Sequence, residues 1–263
     1  MTTLDKASRN GMAIHVSESR SEMGARAASD IAHEIRSRLQ KQPGPRMIFA
    51  AAPSQSEMLS APCGEKDIDW SRVTAFHMDE YLGLPAGAPQ RFSCWLRKAI
   101  FDRLPFAAVH LLEPGDNPAQ TASEYAAKLN AAPIDIVCCG IGSSGHLAFN
   151  DPPADFNDPL TVKIVHLDAK CRQQQVDDQC FATLNDGPLA RSPLLYRGCS
   201  PDMRFFASCL APSRKKLSAA PSWNRSLPCV RPARCVFTHA ADFISTLTRP
   251  AKHKLDKTLG LVA

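Results

Sequence analysis

The sequence predicts an α/β fold built on a mostly parallel, doubly wound sheet. Two observations carry the prediction. Short apolar runs at 47–52, 73–78, 109–112 and 134–139 have the length and composition of buried strands. Between them stand stretches whose apolar residues recur at helical spacing, and strands alternating with helices build parallel sheets through helical crossovers.

From Glu22 to Lys41, Met23, Ala27, Ile31, Ile35 and Leu39 recur on one face of an amphipathic helix, which Pro43-Gly44-Pro45 ends. Residues 1–20 give no firm signal. The first strand, 47–52, runs into Pro53-Ser-Gln-Ser-Glu57, a strand-to-helix turn in which Ser54 and Glu57 fit a capping box. The second, 73–78, has Asp79-Glu80-Tyr81 at its carboxyl end. A loop over 83–89 leads to a helix over 91–104, with Phe92, Trp95, Leu96, Ala99 and Ile100 on one side. A third short strand at 109–112 and a helix over 119–131 follow, then the strand at 134–139 and an alternating strand at 162–167.

With 263 residues, the chain is long enough for a sizeable core. Its 44% hydrophobic and 22% charged residues place it with globular proteins. No apolar run approaches the roughly 20 residues of a membrane helix, and Met1-Thr-Thr-Leu-Asp-Lys lacks the apolar core of a signal peptide. A cytoplasmic protein without a membrane partner is therefore expected. In that compartment the ten cysteines stay thiols. Cys138 and Cys139 act as small hydrophobes, and without a Cys-x-x-Cys pair a structural zinc is not expected.

In a doubly wound sheet, ligands bind beyond the carboxyl ends of the strands. Three polar stretches occupy such positions: Ser54-Gln55-Ser56, Asp79-Glu80, and Gly140-Ile-Gly-Ser-Ser-Gly-His-Leu-Ala-Phe-Asn-Asp-Pro152. Glycines at 140, 142 and 145 let backbone approach a ligand closely, and His146 titrates near neutral pH. The plainer reading is a glycine-rich connection carrying a solvated His. Amides at the turn after Pro53 suit a phosphate, or simply begin a helix. The glycine spacing does not make a dinucleotide site, because a His and Asn-Asp-Pro follow it rather than a clear helix. A metal held by His77, Asp79 and His146 is disfavoured. A carboxylate and a His without metal suit proton transfer, with Asp79 acting at a carbon next to a carbonyl and His146 on an oxygen.

Phe76-His-Met-Asp-Glu-Tyr-Leu-Gly-Leu-Pro85, followed by Pro89-Gln90, resembles a signature of the glucosamine-6-phosphate deaminase/isomerase family, and Gly140 to Pro152 resembles its second signature. Sugar-phosphate lactonases share the fold, but Phe149-Asn-Asp-Pro152 favours the deaminase side. The resemblance implies a Rossmann-like three-layer α/β/α sandwich. It also implies a cofactor-free and metal-free aldose–ketose isomerisation of a sugar phosphate with loss of ammonia. By motif position, Asp79 would carry a proton from C2 to C1 of the opened sugar, His146 would assist ring opening and Asp151 would orient that His. Ser54, Gln55 and Ser56 would hold the phosphate, with Arg172 near a second phosphate-binding stretch. Glu80, Gly142, Ser144 and Gly145 would line the substrate. Two departures stand out: Asp151 replaces the family's Glu, and Ser144 replaces an Asp or Asn, so it supplies no charge to an imidazolium.

A domain of this kind is expected over 1–185. Over 186–263 the pattern changes: Pro188, 193, 201, 212, 221, 228, 232 and 250 interrupt every element, and little regular structure is expected. Between Ala190 and Pro250 ten basic side chains face two acidic ones, although the whole chain is only +5. A disordered basic tail is one explanation. A frameshift in the gene is the other: read one base out of register, Trp223-Asn224 encodes Glu, and 203–211 reads as a buried strand ending in a turn. A basic tail would bring nucleic acid in as a partner; the signatures point instead to a small-molecule sugar phosphate, with no nucleic acid and homo-oligomerisation left open. The rivals are a non-catalytic sugar-phosphate sensor and a 6-phosphogluconolactonase-like hydrolase.

Overall fold

The computed structural model describes residues 7–9, 12–17, 19–51, 53–65, 67–140, 148, 158–167, 169–177, 180–193, 199–209 and 235–239. Among these, eight strands form one sheet: β1 (Ala7–Arg9), β2 (Met12–Val16), β3 (Arg46–Phe49), β4 (Thr74–His77), β6 (Ala108–His110), β7 (Ile134–Cys139), β10 (Cys199–Cys209) and β11 (Cys235–His239). Their order is β1-β2-β11-β10-β7-β3-β4-β6. Only β1 runs antiparallel to its neighbour. Three further strands, β5 (Asp79–Tyr81), β8 (Val165–His166) and β9 (Ala190–Pro193), form a small antiparallel sheet in the order β5-β9-β8.

Period-two alternation puts successive side chains of a strand on opposite faces, and the buried residues divide accordingly into two cores. One contains Ile48, Phe76, Val137, Phe205 and Ala207 under Ala122, Tyr125 and Leu129 of α4 (Pro118–Asn130). The other contains Met47, Phe49, Ala75, Ile136, Cys138 and Phe206. It packs under α1 (Arg20–Lys41), α2 (Ser56–Ser60) and α3 (Phe92–Leu96). The result is a three-layer α/β/α sandwich around a mostly parallel sheet, as the sequence predicts.

α1 buries Met23, Ala27, Ile31 and Ile35, the expected stripe, and starts two residues early because Ser19 accepts a hydrogen bond from the Glu22 amide at 3.1 Å. The expected helix over 91–104 is instead α3 followed by a π-helical turn, Arg97–Phe101. The strand expected over 162–167 contracts to β8, and α5 (Ala169–Asp177) follows it.

Of 186–263, residues 186–193, 199–209 and 235–239 are described, and they hold three strands where little regular structure is expected; the rest of that expectation lies outside the described residues. β10 lies in the middle of the main sheet, parallel to β7 and β11, and β9 is the centre of the small one. Met203, Phe205, Phe206 and Ala207 are buried. Proline density hid an apolar run long enough to make a strand, and the one proline within it, Pro201, lies near the start of β10, where the register with β7 is irregular.

Candidate active site

The register of the main sheet brings two candidate stretches, and the start of the third, to one edge. Phe49 of β3 lies opposite His77 of β4 and Cys138 of β7. The ladder continues past the strand ends, with the Ala50 amide donating to the Cys138 carbonyl at 2.8 Å and the Met78 amide to the Phe49 carbonyl at 2.9 Å. The chain thus leaves β3 towards Ser54, β4 towards Asp79 and β7 at Gly140 side by side. Of the glycine-rich stretch, Gly140 and Ala148 are described; Gly142, Ser144, Gly145, His146 and Asp151 lie outside the described residues. Ala148 is buried with φ at 49°, a left-handed conformation that costs an alanine roughly 1–2 kcal/mol.

At Met78 the chain passes from the main sheet to the small one, so Asp79 opens β5 at the boundary between them. Asp79 is 3% exposed. Burial pushes its carboxyl up to about 7; the positive charge of Arg191 works against that rise and the negative charge of Glu80 adds to it. His77, the last residue of β4, is fully buried, and burial holds its imidazole down to about 4. Neither ring nitrogen has a hydrogen-bond partner among the described residues. Its backbone is fixed by Tyr125, whose hydroxyl accepts from the His77 amide and lies 2.8 Å from the His77 carbonyl and 2.9 Å from that of His110.

Glu80, expected to line the substrate, lies against the start of α3. Its fully buried carboxylate accepts hydrogen bonds from the amides of Tyr81, Phe92 and Ser93 and from the Ser93 hydroxyl, and pairs with Arg91 at 3.6 Å. Apart from the Tyr81 amide, these donors belong to the first turn of α3, where a negative charge is favoured. Next to it, the Tyr81 hydroxyl donates to Gln175 Oε1 at 2.6 Å, tying α5 to β5.

The capping box between Ser54 and Glu57 does not form. A 3₁₀ turn, Pro53–Gln55, precedes α2, and Gln55 rather than Ser54 is the N-cap residue. Ser54 Oγ instead accepts from Gln55 Nε2 at 3.2 Å. Glu57 turns to Arg20 of α1, which donates from both Nε and Nη2 at 2.9 Å and holds the carboxyl below its ordinary range. Ser54, Gln55 and Ser56 remain where the chain leaves β3, at the same edge as Asp79.

Arg172 Nη2 donates to the Leu184 carbonyl, bracing the turn after α5. One helical turn further on, Gln175 reaches the buried layer. Sequence reasoning also missed Arg191, a wholly buried cation on β9. Among the described residues, no group of three or more His, Cys, Asp or Glu could hold a metal ion.

A family profile described as glucosamine-6-phosphate isomerases/6-phosphogluconolactonase matches residues 18–167. The glucosamine-6-phosphate deaminase of Lysinibacillus sphaericus is 34% identical over 133 residues, 50% of this chain and 58% of that protein. That of Lactobacillus helveticus (strain DPC 4571) is 31% identical over 147 residues, 56% of this chain and 59% of that protein. The chain thus spans less than two thirds of the length of these curated relatives. Among solved structures, a monomeric glucosamine-6-phosphate deaminase superposes with a TM-score of 0.74 at 17% identity, over 89% of this chain and 99% of that one. A 6-phosphogluconolactonase from Thermotoga maritima superposes with 0.64 at 13% identity, over 86% and 98%. At these identities the likeness is one of fold.

Proposed function

Because the chain belongs to the glucosamine-6-phosphate isomerase/6-phosphogluconolactonase family, we propose that it isomerises and deaminates an amino-sugar phosphate of the glucosamine 6-phosphate class. The observation that carries this reading is Asp79: a buried carboxylate at the carboxyl end of β4, inside the first signature, with a proton affinity raised to about 7. A base poised near the working pH is suited to removing a proton from carbon next to a carbonyl. Asp79 takes the C2 proton of the opened aldose and returns it to C1, while one amine proton passes to the C1 oxygen. The product is a ketose imine, which water cleaves to ketose phosphate and ammonia. His146 assists ring opening, Asp151 orients it, and Ser54 to Ser56 hold the phosphate.

Incubation with glucosamine 6-phosphate should release ammonia and form a ketose phosphate in equal amounts. Asp79→Asn should lower kcat by about 10²–10⁴-fold, the usual worth of a positioned base. Acceleration of 6-phosphogluconolactone hydrolysis without ammonia release would move the activity to the lactonase side of the family. Stabilisation by ligand without any turnover, unchanged in Asp79→Asn, would make the chain a sensor. A cytoplasmic setting goes with the enzymatic reading, since Cys63, Cys94, Cys138, Cys139 and Cys180 are free thiols. Among the described residues no helix is long and apolar enough to cross a membrane.

We infer further that 186–263 is the remainder of the same domain, not a separate tail. In support, β10 and β11 continue the sheet that β7 and β3 begin.

A further inference from the structure

Arg191 is an unusual residue to find at the centre of a small sheet. It is 0% exposed and, among the described residues, the largest of the fully buried side chains. It lies directly opposite Tyr81 in the antiparallel pair of β9 with β5, while Asp79 lies opposite Pro193. Opposed residues on such a pair share a face, and so do residues two apart along a strand. Asp79, Tyr81 and Arg191 therefore stand on one face of the small sheet, with the Arg diagonal to the Asp. The guanidinium carbon lies 3.9 Å from the centroid of the Tyr81 ring and 5.1 Å from that of Phe92. Stacking on two rings fixes the planar group and keeps water from it.

A guanidinium cannot be deprotonated in a protein, so burial leaves its charge in place and weakens only its screening. Among the described residues, the groups around Asp79 on the adjoining elements are few. Glu80 is its neighbour on β5 and is held by Arg91 at the start of α3. His77 ends β4 and is neutral above about pH 4. α5 contributes the uncharged Gln175, bonded to Tyr81. Arg191 comes from β9; His146 and Asp151 lie outside the described residues. Arg91 is engaged by Glu80, which among the described residues leaves Arg191 as the cation set against the burial of Asp79.

We propose that Arg191 is a positioning residue of the site: a permanently charged group, locked between Tyr81 and Phe92, that holds Asp79 in its ionised, proton-accepting form. The proposal rests on Asp79 being the base of the reaction. It gives β9 a part in the chemistry, although β9 lies beyond the matched residues 18–167.

The test is a direct titration of the Asp79 carboxyl by ¹³C NMR in the full chain, with the resonance assigned by its loss in Asp79→Asn. Arg191→Met should move the midpoint up by about 1 to 2 pH units, the order expected for removing one nearby charge at intermediate dielectric. Arg191→Lys, which keeps a cation in the pocket, should move it by less than half as much. If Arg191→Met does not fold, as circular dichroism will show, Arg191→Gln takes its place with the same expectation. An unchanged or lowered midpoint in whichever neutral variant folds overturns the proposal. So does an equal rise in Arg191→Lys, which would mark a packing effect rather than one of charge. In an active protein, the rising limb of kcat/KM against pH should shift by the same amount. The titration needs no turnover: a chain that shows the shift but releases no ammonia refutes the enzymatic reading alone.

Discussion

Glu80 and Ser93 are joined twice: one carboxylate oxygen, Oε2, accepts from the Ser93 amide at 3.0 Å and from its hydroxyl at 2.6 Å. The other, Oε1, takes the amides of Tyr81 and Phe92. Glu80 therefore fastens α3 to the strand that carries Asp79. Glu80→Ala would leave these donors and Arg91 unsatisfied in a buried place. We expect it to destabilise the chain by about 3–5 kcal/mol, measured by urea unfolding. Glu80→Gln keeps an acceptor and should lose less; equal losses would show that the carboxylate matters only for its volume.

Asp79 gives a pH dependence of definite sign. Its folded-state affinity for a proton, about 7, lies above the ordinary 3.8, so its contribution to stability is fully present below 3.8 and is lost as pH rises through 7. Asp79→Asn removes that loss. The variant should melt higher than the unsubstituted chain at pH 8, by a margin on the order of 4 kcal/mol in free energy, and the margin should shrink at pH 5. A margin that does not change with pH would mean that the fold does not raise the proton affinity of Asp79.

His77 acts in the opposite direction. Burial lowers it from 6.5 to about 4, so its contribution is present above 6.5 and is lost as pH falls through 4. Between these values the two residues offset each other. In His77→Asn, stability should fall more steeply with rising pH between 4 and 7 than in the unsubstituted chain. Urea midpoints across that range would show it; parallel curves would sink the idea.

The bond from Tyr81 to Gln175 ties α5 to the small sheet. Tyr81→Phe keeps the ring under Arg191 but leaves Gln175 Oε1 buried without its donor. A loss of about 1–3 kcal/mol is expected, with no change in the Asp79 titration midpoint. A shifted midpoint would show that the hydroxyl, and not only the ring, orders the charges at the site.

The elements with strong local signals were legible in the sequence. α1 declares itself by its stripe from Met23 to Ile35, and Ile134–Cys139 is buried at every position. Asp79 could be found because it stands at a strand end inside a long signature. Gln175 could not, because Arg172 in the same run offered the more obvious charge. The contacts of Glu80 with α3 could not be read for a related reason: a carboxylate beside a base offers no sign of its backbone donors, which lie twelve and thirteen residues further on. Arg191 carried no signal of its own, since it is buried by Tyr81 and Phe92, about a hundred residues away in the chain. β10 was obscured by prolines and by a change of composition after 185. The nucleotide sequence across codons 185 to 192 separates the two explanations of that change. Two coherent frames meeting there would give the frameshift, and one continuous frame the basic tail.

The order of strands also governs when the domain can be completed. β2, near the start of the chain, joins the main sheet only through β11, and β11 joins only through β10. During synthesis the first strands must therefore wait, unpaired with the main sheet, until residues 235–239 have emerged. Contacts between such distant parts of a chain form slowly and leave strand edges open to other chains in the meantime. A chain cut before β11 and a chain lacking β1 and β2 would suffer related defects from opposite ends, each leaving an edge that the intact fold closes last.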